Sequence, residues 1–170
     1  MNTSTQTTAT GERADLLAAL AKARYFLRFT VRDLTDDQAR QRTTASELSL
    51  GGLIKHVTLT ERQWANFILE GPSAMGADAD GWAGGFQMLE GETLAGLLDQ
   101  YEQVARRTDE LVTTLPDLDA AQALPEAPWF PPGARWSARQ ALLHVVAETA
   151  QHSGHADIIR ESLDGAKTMG

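Results

Sequence analysis

Four segments of roughly twenty residues repeat apolar side chains every three or four positions, and nothing between them alternates as a strand should. That period belongs to helices that bury one face. The spacing predicts a first helix over 12–34, with Leu16, Leu20, Ala23, Leu27, Val31 and Leu34 inward, and a second over 49–69 carrying Leu50, Leu53, Ile54, Val57, Trp64, Phe67 and Ile68. A third over 93–115 carries Leu94, Leu97, Leu98, Tyr101, Val104, Leu111 and Val112, and a last one spans 137–163. Thr35-Asp-Asp-Gln38 and Ser137-Ala-Arg-Gln140 read as capping boxes, while Gly71-Pro72 and Pro116 stop the second and third helices. The expected fold is all-α, a four-helix bundle with two long connections. It forms one domain over 11–170 behind a disordered, Thr-rich tail at 1–10. The first connection, 72–91, with Asp78, Asp80, Trp82 and Phe86, is long enough to be expected as a functional lid. The second, 116–136, contains the proline-rich run 127–133, expected to be extended.

A chain of 170 residues buries roughly 70% of its unfolded surface and needs no metal to hold a core, so any metal is expected to serve chemistry. There is no cysteine, which excludes disulfides, a thiolate zinc site and a cysteine nucleophile. No GxSxG elbow, Gly-rich phosphate loop or HExxH occurs. A net charge of −8 with scattered arginines argues against a nucleic-acid partner. With no apolar signal segment and no long apolar run, no membrane partner is expected, and the location expected is cytoplasmic.

Three of the four histidines fall in His144-Val-Val-Ala-Glu148-Thr-Ala-Gln-His152-Ser-Gly-His155. On a helix, Glu148, His152 and His155 lie about 40°, 80° and 20° round from His144, in one narrow stripe. The plain alternative is a solvated polar face with one or two core histidines. Leu142, Leu143, Val145, Val146, Ile158 and Ile159 flank the stripe, however, and a buried Glu148 calls for a cation that no Lys or Arg one turn away supplies. Two ligands four residues apart give half of a coordination sphere, and His56 on the second helix can give a third. Spacing alone permits either His144 with Glu148 or Glu148 with His152, and His155 is also in reach. Two histidines and a carboxylate suit a divalent ion, zinc first, with nickel, iron or manganese compatible. Histidines outside the ligand set are expected beside the metal or facing substrate. Glu61, about 140° round from His56, reads as a surface or interhelical carboxylate, and Trp64 as core.

Two passages, Leu53-Ile-Lys-His-Val-Thr-Leu-Thr-Glu-Arg-Gln-Trp64 and the stretch from Trp136 to Gly165, resemble the DinB-like superfamily of metal-binding four-helix bundles, especially its actinobacterial branch of unknown function. The resemblance runs over nearly the whole chain in helix order. It implies His56, Glu148 and His152 as metal ligands, with Glu148 in the position where many members carry a third histidine, similar to mycothiol-dependent maleylpyruvate isomerases. His144 and His155 then become the candidate catalytic residues near the ion. The implied activity is transfer or isomerisation of a small electrophile by a low-molecular-weight thiol such as mycothiol or bacillithiol, which the metal deprotonates. Trp82, Trp129 and Phe130 would offer the substrate apolar surface, and a homodimer is compatible, since bundles of this family often pair through helices. Two rival expectations are a hydrolase using metal-bound water, with His144 or His155 carrying the proton, and a non-catalytic metal-binding or stress-response module.

Overall fold

The computed structural model describes residues 9–75 and 84–168. Trp82, Asp78, Asp80 and most of the tail expected at 1–10 lie outside the described residues. The elements are α1 (Glu12–Thr30), α2 (Asp36–Arg40), α3 (Leu50–Glu70), a 3-10 turn (Pro72–Met75), α4 (Leu94–Thr114), β1 (Ala121–Ala123), β2 (Arg135–Ser137) and α5 (Ala138–Asp164).

Hydroxyl caps set the helix starts. Ser49, Thr93 and Ser137 accept from the N–H three residues on, at 3.2, 3.1 and 3.1 Å. Thr35 and Gln38 form the full reciprocal box before α2. Helix α1 stops short of the expected Leu34: Asp33 takes a left-handed φ of 59°, and the freed carbonyls of Thr30 and Arg32 each accept from Arg160 Nη1 at 2.8 Å. That arginine comes from α5, so the end of one helix is capped by another.

Glu12 meets Arg139, the Ala23 carbonyl accepts from Ser153 and the Thr30 carbonyl from Arg160, so α1 and α5 run parallel. Arg24 pairs with Asp109 and Arg28 with Glu102, so α4 runs against α1. Trp64 packs on His144 and His56 on His152, so α3 runs against α5 and parallel to α4. Helix α3 packs along both α4 and α5, and α1 packs along α5 and α4. Two neighbouring pairs are therefore parallel. A 21-residue helix is about 30 Å long, so the end of α3 and the start of α4 lie about that far apart.

One expectation is corrected in the second connection. Residues 121–123 and 135–137 pair as a two-stranded antiparallel sheet, with Gln122 opposite Trp136. The prolines between them are not one extended run. They make two turns, closed by Phe130 N–H to Ala127 carbonyl and Ala134 N–H to Pro131 carbonyl, both at 3.1 Å. Three-residue strands are too short to register as an alternating pattern.

The core has two apolar layers. Leu20, Trp64, Phe67, Val112 and Leu142 fill the end nearest the hairpin, and Leu27, Leu53, Ile54, Tyr101 and Ile159 fill the other. Between them Arg24 reaches the fully buried Glu61 at 2.5 and 3.2 Å and continues to Asp109 at 2.8 Å. Glu61 is thus the interhelical carboxylate that its angle allowed. No helix among the described residues is long and apolar enough to cross a membrane.

Removing one member of a buried ion pair strands the other. Glu61→Ala is expected to lower unfolding free energy by about 3–5 kcal/mol in urea titrations, and Arg24→Met combined with Glu61→Leu to recover most of that loss. Equal losses in the single and double variants would contradict this account.

Candidate metal centre

The antiparallel packing of α3 on α5 brings three side chains together in the middle of the bundle. One ligand atom each from His56, Glu148 and His152 lies within 4.8 Å of the other two. Glu148 Oε2 is 3.9 Å from His56 Nε2 and 3.4 Å from His152 Nε2, and its Oε1 is 3.9 Å from His144 Nε2. Both His56 and His152 are buried, while the Glu148 side chain keeps 28% of its surface. Among the described residues no Lys or Arg pairs with this carboxylate.

Burial sets the protonation of the ring nitrogens. Desolvation, and then the neighbouring His152, hold His56 down at about 4. Desolvation also lowers His152 and His144, against the opposing pull of Glu148. Near neutral pH these three imidazoles are uncharged and keep a lone pair. Two neutral imidazoles and a carboxylate without a cationic partner match the donor chemistry of a divalent ion, so the residues present fit such a group.

Surrounding contacts fix each ring. Phe86 lies flat on His56, with centroids 3.9 Å apart and planes 17° from parallel. It gets there because the chain at Phe86 rests directly on α3 at Gly52, where any Cβ would stand 1.9 Å from the Phe86 carbonyl oxygen. Only glycine allows that approach. Thr60 Oγ1 lies 3.5 Å from His56 Nε2. His155 does not line the cavity over the cluster. Its Nδ1 lies 3.3 Å from Nδ1 of His152, on the side of that ring away from Glu148.

His144 does line the cavity. It meets the edges of Trp64 and Trp136 at 4.9 and 5.2 Å, and those two indoles stack at 4.8 Å. Phe130 closes against Trp136 at 5.7 Å. Trp64 is core, as expected, and also wall. The cavity over the cluster has a volume of about 670 Å³, and Trp129 and Phe130 join its lining. Three features in or beside it had no signal in helical spacing: Phe86 on His56, Trp136 against His144, and the amides Gln63 and Gln151. A loop side chain has no period, and an amide on a helix reads as ordinary surface.

Helices in this order and arrangement make a DinB-like four-helix bundle. The chain belongs to the mycothiol-S-transferase family, whose model matches residues 15–165. Among solved structures, a conserved protein from Enterococcus faecalis is similar over 93% of this chain and 100% of its own, with TM-score 0.66 and 15% identity, a likeness of fold. No curated protein matches the sequence.

The depressed histidines carry a consequence for stability. An unfolded histidine takes a proton near pH 6.5, whereas folded His56 resists until about 4. In chelator-treated protein, stability is therefore expected to be highest above about pH 6.5 and to decline as pH falls through that window. Urea midpoints across the range should show the slope, and His56→Gln should flatten it. An unchanged slope in that variant would show that His56 does not contribute.

Proposed function

We propose that this protein is a metal-dependent S-transferase that joins a low-molecular-weight thiol, mycothiol or a close equivalent, to a small electrophile. The observation that carries the reading is a cluster of two neutral histidines and one carboxylate lacking a cationic partner, beneath an aromatic-walled cavity, in a chain of the mycothiol-S-transferase family. His56, Glu148 and His152 would hold the ion, zinc foremost. A divalent ion there supplies a Lewis acid that makes an adjacent thiol acidic enough to be nucleophilic at neutral pH.

The chain's own residues supply the rest. His144 is uncharged, borders the cavity and is held by two indoles, so its Nε2 can accept the thiol proton. Glu148 Oε1, 3.9 Å away, steadies the imidazolium that results. The sulfur then bonds to the electrophilic carbon and the leaving group departs with its electron pair. Where the electrophile is an activated double bond, that pair moves onto the acceptor and His144 returns the proton. His155 orients His152 through the Nδ1 contact, leaving Nε2 toward Glu148. Phe86, Trp129 and Phe130 keep bulk water from the reacting atoms.

Purified protein loaded with zinc is expected to conjugate mycothiol to an electrophile and to do nothing without thiol. His152→Ala should lose bound metal by elemental analysis and lose conjugation with it. Full occupancy and activity in that variant, or turnover without thiol, would overturn the reading. His144→Gln should keep the metal but slow conjugation by roughly 10²-fold, and His155→Leu should weaken zinc affinity by about 10-fold or more.

A further inference from the structure

We infer that the electrophile this cavity accepts is uncharged and aromatic or apolar, and that carboxylated or phosphorylated compounds are rejected. The inference rests on the reading that this cavity is the site of transfer. Its lining holds Trp64, Met75, Phe86, Pro125, Trp129 and Phe130, with Thr60, Gln63 and Gln151 as its neutral polar groups. Glu148 is the one carboxylate among the lining side chains, and no Lys or Arg lines the cavity among the described residues. Residues 76–83 lie outside the described residues, and their sequence holds two aspartates and no basic residue.

Recognition of a carboxylate or phosphate ordinarily uses a guanidinium fork or an ammonium, and neither lines the cavity among the described residues. With the thiol beside the ion, an anionic group on the electrophile meets rings, two amides and the Glu148 carboxylate. It would lose its water without gaining a guanidinium or ammonium partner from the described lining. A flat neutral ring meets the opposite situation. Indole and phenyl faces accept it by stacking, and the amides of Gln63 and Gln151 can donate to or accept from a nitro, carbonyl or hydroxyl substituent. The same absence extends to the thiol: a carrier with free carboxylates is a poorer partner here than an uncharged one.

The test compares chlorodinitrobenzene with its benzoate, chlorodinitrobenzoate, as electrophiles for the zinc-loaded full-length chain with mycothiol. Each rate is divided by that of the uncatalysed reaction. The neutral compound is expected to win by at least about tenfold in kcat/KM. Equal values, or a preference for the benzoate, would overturn the inference. Gln151→Lys places an ammonium on the exposed rim and should shift the ratio toward the benzoate by at least about tenfold, and an unmoved ratio counts against it. Binding of unreactive dinitrobenzene and dinitrobenzoate to chelator-treated protein, read from quenching of tryptophan fluorescence, needs no turnover. If neither electrophile is conjugated, the transferase reading fails while these two Kd values still decide the charge preference; a benzoate that binds as tightly as the neutral ring sinks it.

Discussion

Parallel neighbours in a helical bundle cannot be joined by a tight turn, and this constraint shapes the rest of the molecule. Because α3 and α4 point the same way and touch along their lengths, the chain leaves α3 at one end of the bundle and enters α4 at the other. In returning it crosses α3 at Gly52, and the crossing lays Phe86 on His56. The step from α4 to α5 also leaves one side of the bundle for another, and it carries the hairpin whose Trp136, backed by Phe130, stands against Trp64 and His144. Helices supply the candidate ligands, and connections supply most of the walls around them.

Two carboxylates on facing helices show how neighbours decide a role. Glu61 is fully buried and answered at hydrogen-bond distance by Arg24, which reaches on to Asp109. Its charge is spent on holding α3, α1 and α4 together. Glu148 is answered only by imidazoles at 3.4 to 3.9 Å, all held neutral by burial. The first arrangement is complete as it stands. The second has no cationic partner among the described residues, an arrangement that marks a candidate binding site.

The helices and their starts were legible because apolar period and hydroxyl caps are local properties. Ser49, Thr93 and Ser137 stand one residue before their helices begin, as their types require. The candidate ligands were legible for a related reason: residues four apart on a helix must share a face, and Glu148 and His152 do. His56 could be placed on the second helix but not opposite them, because helix order round a bundle is a tertiary fact. Family likeness chose among the pairs that spacing left open. The early end of α1 depends on Arg160, some 130 residues away in sequence, and the hairpin on strands of three residues. Neither leaves a periodic trace. Glu61 was placed by angle between two helices, but only the fold revealed its partner.

The candidate ligands and the walls stand on different kinds of element. His56, Glu148 and the other histidines sit on helices whose spacing the core enforces. Trp129, Phe130 and the prolines beside them belong to a connection between helices, although its Leu118 and Leu124 anchor it in the core. A change in that connection would thus alter which molecules reach the candidate centre while His56, Glu148 and His152 stay where their helices put them.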